Sequence, residues 1–65
     1  MYVQMISVSS SVIRAVGYAD GTLTVEFHSG RTYDHPHVPE YVYRGLMSAS
    51  SKGANYNRHI RGKYK

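Results

Sequence analysis

The strictest alternation of apolar and polar residues in the chain runs over residues 23–28. Leu23, Val25 and Phe27 fall on one face of this segment, and polar residues occupy the other face. A period of two is typical of a half-buried β-strand. The pattern therefore predicts a strand whose apolar face contacts the core, followed by a tight turn at residues 29–30.

Neighbouring segments extend this strand into a meander. Residues 12–18 alternate less strictly, and Gly17 within them indicates a bulge or a close approach of another backbone. The Asp20-Gly21 pair that follows is a strong hairpin signal. Residues 31–35 predict a return strand, and residues 2–8 predict a short first strand. The N-terminal half is thus predicted to be a three- or four-stranded antiparallel β-meander.

The apolar spacing becomes helical after Pro39, a residue favoured in the first turn of a helix, and Glu40 beside it complements the helix dipole. Gly53 predicts the C-cap of this helix, and residues 55–60 predict one short helical turn near the C-terminus. The chain is therefore predicted to be a single domain over residues 1–65. Its expected fold class is α+β, with the meander packed against one main α-helix. The apolar residues at helical spacing are Val42, Tyr43, Leu46, Met47 and Ala49.

Charge is distributed unevenly along the chain. Residues 41–65 contain six of the eight Lys and Arg residues and no Asp or Glu, so they sum to +6, whereas residues 1–40 sum to −2. A field of one sign attracts polyanions such as nucleic acids. Four of the seven tyrosines lie in the same basic segment, which is a mixture typical of nucleic-acid binders.

The composition excludes several classes of protein and of binding site. The chain has no cysteine, which excludes disulfides and thiolate metal sites. It has neither a membrane-spanning apolar run nor the charged and apolar regions of a signal peptide. We therefore expect a cytoplasmic protein with no membrane partner.

The ordered pattern of residues resembles the KTSC domain family over residues 8–64. The matching positions are Ser10, Ile13, Val16-Gly17-Tyr18, Leu23, Val25, Phe27, Gly30, Tyr33, Val38-Pro39, Val42-Tyr43, Leu46, Ala49-Ser50, Gly53, Asn57, Ile60-Arg61-Gly62 and Tyr64. That family occurs at the C-terminus of some lysyl-tRNA synthetases and as stand-alone proteins of bacteria and their phages. The resemblance implies RNA binding, which has been suggested for the family, and no established activity. His35 departs from the Tyr-x-Tyr pair of the family, and imidazole is a smaller stacking surface than phenol.

The basic C-terminal segment supplies the candidate nucleic-acid-binding residues. Cations there are expected to contact phosphates and a tyrosine to stack on a base, with a solvated surface as the alternative. Asn57 and Arg61 are four residues apart and would share one face of a helical turn. The alternative for each residue is a structural role. Asn57 would then cap a turn, and Arg61 would pair with Glu26, Asp34 or helix-end carbonyls. The candidates are Lys52, Tyr56, Asn57, Arg58, Arg61, Lys63 and Tyr64.

Metal binding and catalysis are not expected. His35-Pro36-His37 places two imidazoles two positions apart, but no cysteine or convergent acid supports a zinc site, and solvent-facing histidines are expected instead. No nucleophile motif, carboxylate pair or phosphate loop is present. We therefore expect no cofactor and no enzymatic activity.

The sequence thus predicts a small non-enzymatic module that binds RNA through its basic C-terminal segment. One alternative is a protein–protein or homo-oligomerisation module that uses the sheet and its tyrosines, with Tyr33, Tyr56 and Tyr64 exposed and Tyr18 and Tyr43 at the core. The other is a phage-type binder of small nucleotides, in which the same Arg and Tyr residues line a compact pocket.

Overall fold

A computed structural model describes residues 4–64. Four antiparallel strands form one sheet in the order β1-β2-β3-β4, followed by two helices. The α+β meander is thus confirmed, although residues 2 and 3 of the predicted first strand lie outside the described residues. The elements are β1 (Ile6–Ser7), β2 (Ile13–Ala19), β3 (Thr22–Phe27), β4 (Thr32–His35), α1 (Glu40–Ser48) and α2 (Lys52–His59).

Both predicted hairpin turns are present. Asp20 and Gly21 have φ values of 52° and 79°, the two positive angles of a type I′ turn, whose twist matches that of the flanking strands. At the second turn Gly30 has φ 98°, and its N–H donates to the Phe27 carbonyl. The Phe27 N–H in turn donates to the Arg31 carbonyl, so this turn fixes Arg31 at the end of the β3–β4 hairpin.

Strand β2 contains a bulge, but not at the residue that the sequence indicated. The irregularity lies between Ile13 and Ala15, not at Gly17, which pairs with Thr24 in regular register. The extra residue, Arg14, is exposed. Because one inserted residue shifts the alternation, Ile13 and Val16 both lie fully buried in the same core cluster.

The core lies between one face of the sheet and both helices. Its buried residues from the sheet and the following loop are Ile13, Val16, Leu23, Val25 and Val38, and those from the helical half are Leu46, Tyr56 and Ile60. Tyr18 and Tyr43 lie at the core edge as expected: their rings stack with centroids 4.9 Å apart, and the Tyr18 hydroxyl donates to the Val38 carbonyl at 2.6 Å.

The predicted role of Gly53 is wrong. Helix α1 ends at Ser48 with Ala49 as its C-cap, and Gly53 lies in the first turn of α2. A Cβ on Gly53 would lie 3.1 Å from Cγ2 of Val12, so the missing side chain permits close packing of α2 against the start of β2. Helix α2, at eight residues, is also longer than the single turn expected at residues 55–60.

Within residues 4–64, none of the helices has the length and apolarity needed to cross a membrane.

Candidate functional site

A concave cavity of about 670 Å³ lies where the β3–β4 hairpin faces α2. We call it the arginine cavity. One wall comes from the hairpin, the second from the segment that leads into β2, and the third from α2 and the turn after it. The lining residues are Ser11, Val12, Phe27, His28, Ser29, Arg31, Tyr33, His35, Tyr56, Asn57, Arg61 and Gly62.

Aromatic rings form the apolar part of the lining. The Phe27 ring packs edge-to-face against Tyr33, with centroids 5.6 Å apart, and against Tyr56, with centroids 5.2 Å apart. Register places Tyr33 opposite Val25, so its ring lies on the helix-covered face of the sheet. Tyr33 remains 42% exposed and therefore offers ring surface to a ligand.

Two guanidinium groups give the cavity its charge. Arg31 enters from the hairpin and Arg61 from the turn after α2, and both are exposed. The Arg31 Nη1 donates to the Tyr33 hydroxyl at 3.4 Å, and this contact raises the pKa of the Arg31 guanidinium. None of the lining residues is Asp or Glu, so the formal charges on the lining are all positive. Such a surface favours an anion that also carries a flat ring.

Hydrogen bonds of Ser10 hold the rim of the cavity. The Ser10 hydroxyl accepts from the backbone N–H groups of Val12 and Ile13, both at 3.2 Å, which shapes the approach to β2. The Nε2 of His28 donates to the Ser10 carbonyl at 2.8 Å, because a carbonyl can only accept. These bonds connect the hairpin tip to the segment before β2 and fix two of the three walls relative to each other.

His35 is not solvent-facing as predicted but 7% exposed. Its Nδ1 lies 2.8 Å from the Tyr64 carbonyl and its Nε2 lies 2.8 Å from the Tyr56 hydroxyl. Since the carbonyl can only accept, Nδ1 carries the proton; in the neutral ring Nε2 then accepts from Tyr56. His35 therefore ties α2 and the C-terminal turn to β4, and both ring nitrogens already have protein partners.

Tyr56 is 6% exposed, so the expectation of an exposed ring is wrong. Its ring packs in the core and its hydroxyl donates to His35. Burial raises the pKa of the Tyr56 hydroxyl, Tyr33 adds to the increase and Arg61 opposes it. The hydroxyl is therefore neutral and able to donate at physiological pH, and any ligand contact is limited to the part of the side chain that lines the cavity.

The raised pKa of Tyr56 predicts an alkaline loss of stability. An unfolded tyrosine ionises near pH 10, before the buried one, so the stabilisation is complete below that pH and is lost as pH rises through the higher folded pKa. Urea unfolding of the wild type and Tyr56→Phe, between neutral pH and about pH 11, measures this loss of stability. The loss should begin near the ordinary tyrosine pKa. The difference in free energy of unfolding between the wild type and Tyr56→Phe should shrink as pH rises. A difference that stays constant would contradict the raised pKa of the Tyr56 hydroxyl.

Asn57 and Arg61 lie on the same side of α2, as their spacing predicts, and both line the arginine cavity. Asn57 lies within the helix, so it does not cap a turn. Pairing of Arg61 with Glu26 or Asp34 is not observed: the ion pair found among residues 4–64 joins Arg44 to Glu40. Glu26 and Asp34 lie on the opposite face of the sheet, because they alternate with the core-facing residues of β3 and β4.

The remaining predicted residues do not join the cavity. Lys52 donates to the Ala49 carbonyl at 3.1 Å, an interaction at the C-terminus of α1. Arg58 is exposed on α2. Lys63 and the half-buried Tyr64 line a different groove. The predicted set is therefore divided between several surfaces.

Sequence reasoning missed the contribution of the N-terminal half. Arg31, Tyr33 and Phe27 come from a segment whose net charge gave no indication of binding. The available signal was local: Arg31 follows a tight turn and precedes an alternating strand, which places its side chain at a hairpin end. In β3 and β4, register places Thr24, Glu26, Thr32 and Asp34 on the outer face of the sheet, so these two strands present no tyrosine there to a partner interface.

Comparison with known proteins identifies the domain. The family model of the KTSC domain matches residues 9–64. The lysine–tRNA ligase of Nostoc punctiforme is 44% identical over 57 residues, which cover 85% of this chain and 10% of the ligase. The corresponding ligase of Trichormus variabilis is 46% identical over 44 residues, covering 68% of this chain and 8% of that protein. The chain thus spans about a tenth of the length of these relatives.

A solved structure also shows similarity to the KTSC domain. The crystal structure of a KTSC domain protein from Yersinia pestis matches with a TM-score of 0.93 and 38% sequence identity. The match covers 98% of this chain and 93% of the other. In sequence and in fold, this chain belongs to the KTSC domain family.

Proposed function

We propose that this chain is a non-enzymatic binding module for single-stranded RNA, and that one nucleotide of the strand occupies the arginine cavity. The observation that supports this most directly is the convergence of Arg31 and Arg61 on a cavity with aromatic walls and no acidic lining residue. The guanidiniums would contact the phosphate, and the exposed surface of Tyr33 would stack on the base. Asn57 would hydrogen-bond the sugar or a base edge.

The dimensions of the cavity suit a ligand of this size. Small-ligand sites commonly measure about 300–1,000 Å³. The arginine cavity, at about 670 Å³, lies within that interval. Single-stranded nucleotides present an unstacked base beside a phosphate, which is the combination of ring and anion that this lining complements.

The domain's relatives give independent support. KTSC sequence occurs within proteins named lysine–tRNA ligases, whose name associates them with tRNA. A role related to nucleic acid is thus consistent with that context, and the cytoplasm is the corresponding proposed location.

Binding without catalysis is supported by how the reactive side chains are used. Both nitrogens of His35, the Ser10 hydroxyl and the Nε2 of His28 all have structural hydrogen bonds. A general base must be within hydrogen-bond reach of the proton it removes, and these groups already have protein partners.

A free mononucleotide is the second candidate ligand, favoured by the compactness of the cavity. The two ligands differ in salt dependence. Each phosphate contact to a single strand adds about 0.7 to the slope of log affinity against log salt, so a polymer with several contacts loses affinity steeply and a mononucleotide does not.

Arg61→Ala is expected to lower RNA affinity roughly tenfold to a hundredfold, since a hydrogen bond to a charged group contributes about 1.5–3 kcal/mol. The measurement is fluorescence anisotropy of labelled octauridylate titrated with protein at low and at moderate salt. Arg14→Ala is the matched control, because it removes one exposed positive charge that does not line the arginine cavity. The control should stay within about twofold of the wild type.

Equal losses in the two arginine variants would mean that net charge, not the cavity, attracts RNA. Failure of the wild type to bind octauridylate at low salt would contradict the proposed function. Circular dichroism spectra of both variants establish that the fold is retained.

A further inference from the structure

A second groove lies on the far side of α2 from the arginine cavity. It has a volume of about 350 Å³ and lies between α1 and α2. Tyr41 on α1 is 75% exposed, and the space beside Gly45 is open: a Cβ at that residue would meet no neighbouring atom within 4 Å. Lys63 supplies an exposed cation, and Tyr64 lies beside it, anchored through its carbonyl to His35.

The helix itself connects the two concavities. With 3.6 residues per turn, successive side chains project about 100° apart. The buried residues Gly53, Tyr56 and Ile60 mark the inward side of α2 and its C-cap. Arg58 therefore projects almost directly outward. Asn57 and Arg61 lie on the flank of the arginine cavity, and Asn55 and His59 on the flank of the second groove.

We propose that a single RNA strand crosses the outer surface of α2 and places a second base in this groove. Tyr41 stacks on that base, Lys63 contacts its phosphate, and Arg58 contacts the phosphate between the two subsites. This inference rests on the proposed function and deepens it, because it defines the ligand as a strand that spans both sides of α2. It also gives a role to Arg58 and Lys63, which the arginine cavity leaves outside.

The charge and the exposed ring of the second groove favour a nucleotide of an RNA strand as its ligand. The formally charged residues on the path, Arg61, Arg58 and Lys63, are all cations. The carboxylate adjacent to Tyr41, that of Glu40, is bound by Arg44 at 2.9 Å and is thereby partly neutralised. An exposed phenol ring beside a lysine fits a base with its phosphate, and a basic groove that also follows a backbone is typical of single-strand binders.

The test compares two ligands, labelled octauridylate and uridine monophosphate. Tyr41→Ala is expected to lower octauridylate affinity roughly 5- to 150-fold, the loss that corresponds to one stacked base. It should leave the affinity for the mononucleotide unchanged. Tyr41→Phe keeps the ring and should bind octauridylate like the wild type. Arg58→Ala should reduce the salt slope for octauridylate by about 0.7 and leave mononucleotide binding unaltered.

The outcomes separate this inference from the proposed function. Octauridylate affinity that is unchanged in Tyr41→Ala overturns the second subsite while the arginine cavity stands. The same conclusion follows if octauridylate binds no tighter than the mononucleotide, or if Tyr41→Ala weakens both ligands equally. Failure of wild-type protein to bind either ligand overturns the proposed function as well. Because Tyr41 is 75% exposed, thermal unfolding of the variant should match the wild type.

Discussion

Replacing Val25 with aspartate is expected to leave the chain unfolded at neutral pH. Val25 is fully buried in the middle of β3, within the core formed by the sheet and both helices. The substitution removes about 1.5–3 kcal/mol of apolar burial and adds an unpaired carboxylate, whose desolvation costs several kcal/mol. A domain of this length has a free energy of unfolding of only about 3–10 kcal/mol. Far-UV circular dichroism and the dispersion of amide resonances measure the loss.

Ile6→Asp is the matched control, since it introduces the same carboxylate at an apolar residue that is 45% exposed on the edge strand β1. Its cost should stay within about 1 kcal/mol, because an exposed carboxylate keeps its hydration. A folded Val25→Asp with the melting temperature of the wild type would contradict the assignment of the core.

His35→Ala is expected to produce the second large effect, a fall in melting temperature of roughly 10 °C or more. The change leaves the buried Tyr56 hydroxyl and the Tyr64 carbonyl without their partner. Each unsatisfied group costs about 1–3 kcal/mol, and a small domain loses about 4–8 °C per kcal/mol. The C-terminal turn that carries Arg61 should also detach from β4. Thermal unfolding measures stability, and amide hydrogen exchange in residues 60–64 measures the detachment.

Two variants distinguish the contacts of His35. His35→Asn retains a donor close to the position of Nδ1 and should preserve the bond to Tyr64, so its loss of stability should be intermediate. Tyr56→Phe leaves only the imidazole nitrogen unpaired and should likewise cost less than His35→Ala. Hydrogen exchange in the C-terminal turn that is unchanged in His35→Ala would show that His35 does not anchor it.

The fold was more predictable than the candidate site because its determinants are local. Alternation over residues 23–28 and the Asp20-Gly21 pair depend on neighbouring residues, and both the strand and the type I′ turn are observed. The bulge considered at Gly17 and the cap predicted at Gly53 are both absent there, for one reason. A glycine permits a bulge, a cap or close packing alike, and only its spatial neighbours decide among them. For Gly53 that neighbour is Val12, which lies far away in the chain.

Half of the candidate site was predictable for the same reason. Asn57 and Arg61 share a flank of α2 because helical periodicity places residues four apart together. The sequence did not place Arg31 and Tyr33 in the same site as these two residues. The hairpin and α2 carry opposite net charge, and only the folding of one against the other brings them together. His35 was misjudged because its partners, Tyr56 and Tyr64, lie 21 and 29 positions away.

The sequence by itself determined the order of strands and helices, the hairpin turns, the excess of positive charge after Glu40 and the resemblance to the KTSC domain. Periodicity, turn chemistry and composition are properties of short segments and are readable without a fold. The tertiary structure decided which side chains meet: Arg31 with Arg61 around one cavity, and His35 with Tyr56 and Tyr64 in the interior. These arrangements depend on how the sheet packs against α2. The bulge in β2 and the close approach at Gly53 set that packing, because protein interiors are densely packed and respond to small backbone displacements.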